Sequence, residues 1–360
     1  MGYLKGLAKQ AEEKSKAYLR SQFLSLLPSS PPVKAPVDVK AVSRILAVRS
    51  DARLGNILLL TPALRLIKEA FPLAQTDILM PKAYAAALKF NPCVSRVLNP
   101  KEWPFLRFLG YDLAFDFSSY HAFSLSGALW TAWSGARWRL GYQRGESDKF
   151  INMPIPCPRE KFHETVNLAN LVRQAAGRPL RPDSDLRLEW HWGQGEQEEG
   201  ERFWRNQGLD QESVALFIGA RDQKRLPLAW FLEIASLLRA QGRKTALLIG
   251  PAERRLIENV SLPVGTVLLP EMPLRKFAAA LSNARAVLTA DTGPMHLCVS
   301  LNIPTVELFS HSEPWRFGYS HWPSHRVIET AGRWAEVGEV WPVLLGLLNL
   351  SFRNNLSERA

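Results

Sequence analysis

From residue 44 onward the chain alternates short apolar runs with longer amphipathic ones. Residues 45–48, 76–80, 94–98, 113–117 and 137–141 have the length and apolar content of buried strands. Between them apolar positions recur at helical spacing over 56–71, 82–89, roughly 119–133 and 164–175. A second series follows, with strands at 214–218, 245–249, 266–269, 286–289 and 305–309 and helices at 228–240, 253–258, 274–281 and 293–301. Regular strand–helix alternation predicts parallel sheets with helices on both faces. The expected fold is therefore α/β: two Rossmann-like, doubly wound domains facing a central cleft. The stretch from 177 to 199, with prolines and then a polar, glycine-containing run, reads as the crossing between them. A final apolar helix over 334–350 is expected to cross back onto the first domain.

The first 27 residues carry a different pattern. Leu4, Leu7, Ala8, Ala11, Tyr18, Leu19, Phe23 and Leu26 recur near helical spacing, and Lys5, Lys9, Lys14, Lys16 and Arg20 form a basic side. Such an amphipathic helix can lie in an anionic bilayer surface, or pack on its own protein. The proline-rich segment 28–36 predicts an extended linker. The expected organisation is 1–40 helix and linker, 41–185 first domain, 186–332 second domain, and 333–360 helix and tail.

Composition narrows the chemistry. A chain of 360 residues can bury two proper cores, and 46% hydrophobic with 22% charged residues fits a globular protein. The net charge of +11 calls for an anionic partner, whether phosphorylated substrate, membrane surface or nucleic acid. Arginines are dispersed rather than interleaved with aromatics on one element, which argues against nucleic acid. Cys93, Cys157 and Cys298 show no paired spacing, so neither disulfides nor a zinc site is expected. Lysines and glutamates interrupt any signal-peptide core, and no apolar run spans a bilayer, so a cytoplasmic location is expected. The glycine-rich fingerprints of nicotinamide enzymes and P-loop NTPases are missing.

The candidate chemistry concentrates at Asp291-Thr292-Gly293-Pro294-Met295-His296, which ends an apolar strand and opens a helix. Open α/β sheets bind ligands at the carboxyl ends of their strands. The free N–H groups and dipole of a helix starting at Thr292 and Gly293 favour a pyrophosphate. Asp291 could cap that helix or accept a sugar hydroxyl.

Three patterns stand out: Ile45-Leu46-Ala47-Val48-Arg49 with Arg53-Leu54-Gly55-Asn56-Ile57; Gly219-Ala220-Arg221-Asp222-Gln223-Lys224 with Ile249-Gly250-Pro251-Ala252-Glu253; and the Asp291–His296 stretch with Pro304-Thr305-Val306-Glu307-Leu308-Phe309. Together they resemble glycosyltransferase family 9, the heptosyltransferases of lipopolysaccharide core assembly. The resemblance covers residues 44 to 330. It implies the GT-B fold, an acceptor-binding first domain and a donor-binding second. It also implies a nucleotide-sugar donor such as ADP-heptose and a lipopolysaccharide-type glycolipid acceptor. No cofactor or metal is expected, since a lysine and a helix N-terminus can supply the positive charge. Lys224 matches the lysine that neutralises donor phosphates, Glu253 a ribose contact, and Met272 an adenine contact. Asp291, Thr292, Gly293 and His296 match the pyrophosphate and sugar motif. Gly55, Arg53, Asp116 and His163 fall on the acceptor side, where Arg137, Arg139 and Arg144 are also expected.

One departure bears on catalysis. The family normally has an aspartate after the glycine at position 55, serving as general base; here the residue is Asn56. An amide cannot hold a proton near neutral pH. Asp51, in the same loop, could serve; Asp116 or His163 could replace it; or the protein binds without transfer. Asp51 could alternatively pair with Arg49 or Arg53 and only shape the loop, and Asn56 could cap the following helix. A second departure, Ser310-His311-Ser312-Glu313-Pro314 for the family's usual Gly-Pro-Thr-Asp-Pro, leaves the donor open.

Overall fold

The computed structural model describes residues 24, 28–33, 36–51, 53–220, 224–250 and 253–350. The helix expected over 1–27 lies outside the described residues, Leu24 excepted. Two six-stranded sheets, all parallel, form the frame. The first contains β1 (Arg44–Val48), β2 (Gln75–Leu79), β3 (Arg96–Leu98), β4 (Leu113–Asp116), β5 (Trp138–Tyr142) and β6 (Met153–Ile155) in the order β3-β2-β1-β4-β5-β6. The second contains β7 (Val214–Phe217), β8 (Thr245–Leu248), β9 (Thr266–Leu268), β10 (Ala286–Ala290), β11 (Thr305–Phe309) and β12 (His325–Glu329) in the order β12-β11-β10-β7-β8-β9. Both are doubly wound, as expected. Strand order reverses between β1 and β4 and between β10 and β7, the switch points at which such sheets open a crevice.

The helices are α1 (Leu54–Ala70), α2 (Leu125–Trp133), α3 (Glu164–Ala176), α4 (Glu196–Asn206), α5 (Leu228–Ala240), α6 (Arg254–Ile257), α7 (Leu274–Leu281), α8 (Gly293–Ser300), α9 (Pro314–Phe317) and α10 (Val337–Asn349). Helix α1 is buried almost throughout because Ile57 to Leu60 and Ala63 to Ile67 leave few polar positions. Helix α3 is capped by the His163 side chain and ends at Gly177, whose φ of +60° suits a left-handed C-cap.

Several elements differ from the sequence pattern. Residues Lys82–Leu88 form a tight 3-10 helix behind Pro81, not an α-helix, and a second 3-10 helix, Pro100–Phe108, carries prolines at 100 and 104. Strands β6 and β12 were not expected: the first is three residues including a proline, the second mixes His325, Arg326 and Glu329. The crossing ends earlier than expected, because α4 begins at Glu196. That helix is polar except where Gly200 and Trp204 are buried. A methyl group at Gly200 would lie 2.1 Å from the Ala279 carbonyl oxygen, so only glycine lets α4 approach α7.

Two placements are corrected. Helix α10 does not cross to the first unit; Val340, Leu344, Leu347 and Leu348 pack in the core of the second sheet with Phe231 and Ile234 of α5. The described part of the proline-rich segment is extended but packed on the first unit. There Ser30, Val33 and Val37 donate backbone N–H bonds of 2.9 Å to Asp148, Asn152 and Ala175.

The two units meet directly. The first turns of α1 and α8 touch: a methyl at Gly55 would sit 2.3 Å from His296 Cδ2, and one at Gly293 would sit 3.3 Å from Leu54 Cβ. Arg275 of α7 fastens the same interface at one side. It donates to the Ala86 carbonyl at 3.0 Å, the Lys89 carbonyl at 3.3 Å, the His191 carbonyl at 2.7 Å and the Glu196 carboxylate at 2.6 Å, and lies 5.0 Å from the Phe90 ring centre. Arg316 pairs across the units with Glu164 at 3.0 Å and donates to Ser119 at 2.9 Å. Because His296 cannot retreat without losing its partner Tyr319, Gly55→Ala is expected to destabilise the protein by about 1–3 kcal/mol. Denaturant unfolding of the two proteins measures this.

Candidate active site

Each half of the cleft is built at a switch point. On the second unit, β10 delivers Asp291 and Thr292 to the uncapped N-terminus of α8. Thr292 occupies the N-cap position, yet its side chain makes no capping bond. Pro294 supplies no N–H, the Met295 N–H donates to the Thr292 carbonyl at 3.1 Å, and no side chain caps this end of the helix. Asp291 does not cap the helix; its Oδ2 accepts from Lys224 Nζ at 2.6 Å. The lysine expected to meet a donor phosphate and the aspartate of the helix turn are therefore brought together and neutralise each other.

Glu253 and Met272 lie at the neighbouring carboxyl ends of β8 and β9. Glu253 is buried with both oxygens engaged: Oε1 accepts from Arg225 at 2.8 Å and Oε2 from the Gly250 N–H at 3.0 Å. Methyl groups at Gly219 or Gly250 would meet the same carboxylate at 3.2 or 2.9 Å. In this arrangement Glu253 clamps two loops. Met272 is half-buried, packed against the main core. An open groove of about 380 Å³ lies beside them, lined by Ile249, Arg254, Ile257, Leu268, Pro270 and Glu271 among others.

On the first unit, β1 delivers Arg49, Ser50 and Asp51. Arg49 is fully buried and donates from Nε to Asp51 at 2.6 Å, from Nη2 to the same carboxylate at 3.2 Å, and from Nη1 to the Phe117 carbonyl at 2.5 Å. Asn56 Nδ2 donates to Asp51 Oδ2. Asn56 is thus the third residue of α1, not its cap; the N-cap is Arg53, which makes no side-chain capping bond and is exposed. Asp51 is about one-third exposed and held from two sides, by a buried guanidinium and by the amide.

Asp116 lies deeper, at the end of β4. It accepts from the Ser118 N–H at 3.0 Å and from Arg144 Nη2 at 3.3 Å, and both charged side chains are buried. Arg144 Nε and Nη1 make no hydrogen bond. The other arginines expected nearby are elsewhere: Arg139 is consumed by the Phe150 and Ala136 carbonyls at 2.9 Å, and Arg137 lies 4.6 Å over the Trp138 ring. His163 is not at the cleft mouth. It is half-buried between the units, with Nδ1 2.8 Å from Thr165 Oγ1 and its ring 5.0 Å from Tyr319.

His296, matched to the pyrophosphate motif, belongs to a buried cluster behind α8 whose other members sequence reading passed over. His296 Nδ1 is 2.6 Å from the Tyr319 hydroxyl, and the Tyr319 N–H donates to Glu307 Oε2 at 3.0 Å. Glu307 Oε1 and His325 Nδ1, 3.7 Å apart, make no hydrogen bond. Burial pushes the Glu307 carboxyl up from 4.5 to about 8. Burial pushes the imidazoles of His296 down to about 4 and those of His163 and His325 down to about 3. The signal available was the lone acid in the apolar run Pro304–Phe309; its partners, 12 to 18 residues on, were not readable. Among the described residues, no three His, Cys, Asp or Glu side chains converge as a metal would require.

The comparisons agree with this geometry. The chain belongs to glycosyltransferase family 9 (heptosyltransferase), whose model matches residues 106–335. It is 25% identical to lipopolysaccharide heptosyltransferase 1 of Pseudomonas aeruginosa over 308 residues, 75% of this chain and 79% of that protein. Among solved structures, the family 9 glycosyl transferase of Veillonella parvula aligns with a TM-score of 0.72 at 18% identity, covering 86% of this chain and 93% of that one. ADP-heptose lipopolysaccharide heptosyltransferase II of Escherichia coli aligns with a TM-score of 0.69 at 22% identity, covering 88% and 100%. These two likenesses establish the shared fold, that of the GT-B glycosyltransferases.

The buried cluster gives a pH prediction of defined sign. A carboxyl raised in the folded state to about 8 contributes fully below its unfolded value near 4.5, and that contribution declines as pH rises toward 8. Glu307→Gln keeps the acceptor for the Tyr319 N–H and cannot ionise. It is expected to raise the melting temperature relative to the parent at pH 8 and to leave it unchanged at pH 4.5. The three depressed histidines act oppositely, so the parent is expected to lose stability as pH falls from 6.5 toward 4. Thermal melts across pH 4 to 8 test both limbs.

Proposed function

We propose that this protein is an inverting glycosyltransferase that moves a heptose or related sugar from a nucleotide donor to a lipopolysaccharide-core or similar glycolipid acceptor at the cytoplasmic face of a membrane. ADP-heptose, the donor in the name of the Escherichia coli structural relative, is the first to try. One observation carries the reading: the uncapped α8 N-terminus with Lys224 meets the Asp51–Asn56 pair at the first turn of α1. A phosphate-binding end thus faces a carboxylate at the mouth of the acceptor half.

The donor pyrophosphate would lie over α8, drawing Lys224 from Asp291 and freeing that carboxylate for a sugar hydroxyl. The nucleoside would extend toward Met272 and the groove between α6 and β9. Glu253 would act mainly by holding the loops that frame it. Asp51 is the favoured base, because it is the partly exposed carboxylate at the α1 entrance. Asn56 and Arg49 would orient it. Asp116 is buried against Arg144, and the His163 Nδ1 is engaged with Thr165, so Asp51 is the more accessible of the three.

In the single displacement, an acceptor hydroxyl oxygen attacks the anomeric carbon. The bond from that carbon to the phosphate oxygen breaks, and the nucleoside diphosphate leaves with the electron pair. The hydroxyl proton passes to Asp51. Lys224 and the α8 N–H groups stabilise the charge that develops on the leaving phosphate.

The test is nucleoside diphosphate release from ADP-heptose with a deep-rough lipopolysaccharide acceptor. Asp51→Asn is expected to lower turnover by about 10²–10⁴-fold with donor binding retained. Lys224→Ala is expected to weaken donor binding by about 10–100-fold. A parent that binds donor without releasing product, together with turnover gained by Asn56→Asp, would replace this reading with a nucleotide-sugar-binding protein on a transferase frame.

A further inference from the structure

Among the described residues of the first unit, five exposed apolar side chains gather on and beside the 3-10 helix Pro100–Phe108. Phe105 and Phe108 of the 3-10 helix Pro100–Phe108 are 65% and 82% exposed, and Trp103, Leu129 and Trp133 stand out beside them. The feature is one built surface rather than scattered side chains. The Trp103 and Trp133 rings meet edge to face at 5.5 Å, and Trp133 Nε1 donates to the Pro104 carbonyl at 3.0 Å. Leu106 is fully buried beneath and anchors the 3-10 helix among Leu98, Tyr111 and Ala136. The aromatic side chains above it are therefore presented by a fixed backbone.

Basic side chains outnumber acidic ones on it: Lys101, Arg107 and Arg137 against the exposed Glu102. Residues 117–136 contain no charged side chain at all. Lys101, Arg107 and Arg137 are exposed around the aromatic residues. The acids of this region all carry hydrogen bonds, and Asp112 and Asp116 lie off this surface. Glu102 accepts the Asn99 N–H at 2.8 Å, Asp112 accepts the Ser43 and Arg44 N–H groups, and Asp116 is buried with Arg144. Leu24 is buried beside Ala128, Phe150 and Ile151, at the flank of α2. Tryptophan and phenylalanine ringed by lysine and arginine suit the boundary between anionic headgroups and acyl chains.

We infer that the surface formed by Pro100–Phe108 and the exposed face of α2 is a docking site for an anionic lipid bilayer, with Phe105 and Phe108 entering the interface and Lys101, Arg107 and Arg137 meeting the headgroups. No helix among the described residues is long and apolar enough to cross a membrane. The inference stands without sugar transfer, since bilayer binding is read without donor.

The experiment is flotation of the full chain with vesicles of phosphatidylethanolamine and phosphatidylglycerol, against vesicles of phosphatidylcholine alone. The parent is expected to bind the anionic vesicles and to be released by salt. Phe105→Ser with Phe108→Ser is expected to weaken that binding by about tenfold or more, from the lost apolar contact. Lys101→Glu with Arg107→Glu is expected to abolish the preference for anionic lipid. Melting temperature and ADP titration are expected to match the parent in both variants, so failure here leaves the transfer reading intact. Equal vesicle binding by the double serine variant and the parent would overturn the inference. Light scattering that shows a parent dimer lost in that variant, with vesicle binding unchanged, would overturn it too and assign the surface to a second copy of the chain.

Discussion

The architecture depends on the close approach of two helix N-termini, α1 from the first sheet and α8 from the second, at Gly55 and His296. Each helix follows the strand beside its sheet's switch point, so the two crevices must face each other once these first turns touch. The approach needs a residue without a side chain at 55, because His296 is held against Tyr319 and cannot move aside. It also leaves two uncapped positive helix ends in one place, an arrangement that favours an anion between them.

The charged groups at this meeting point satisfy one another. Lys224 rests on Asp291, Arg225 on Glu253, and Arg49 with Asn56 on Asp51. Such pairs keep a partly buried cleft from carrying unpaired charge. Ligand binding then becomes an exchange of partners, in which a phosphate displaces the aspartate from lysine. Asn56 gains a positive role in the same terms: where an acid at that position would repel Asp51, the amide donates to it.

Behind α8 the interface is maintained by neutral histidines and a protonated glutamate rather than by ion pairs. The rings of His163 and His296 meet Tyr319 tilted and edge to face between the units, and burial of Glu307 beneath them favours its uncharged form. This apolar, titratable layer ties the unit proposed to hold acceptor to the unit proposed to hold donor. Arg275 and Arg316 supply the charged fastening at its edges.

The sequence by itself determined the two strand–helix series, their parallel sheets and the turn at Asp291–Gly293, because period and punctuation are local properties that burial on a sheet imposes on the chain. It also marked Lys224, Gly55 and Asn56 as residues of interest. It missed α4, since Gly200 and Trp204 alone betray its buried face, and it sent α10 to the wrong unit, since an apolar helix face does not name its partner. Only the tertiary structure decided that Asp51 is shared by Arg49 and Asn56, that Glu253 clamps loops, and that Arg139 and His163 are consumed by packing. Hydrogen-bond partners of a side chain are set by which switch points face each other across the cleft, and that is a property of the packed sheets rather than of any stretch of chain.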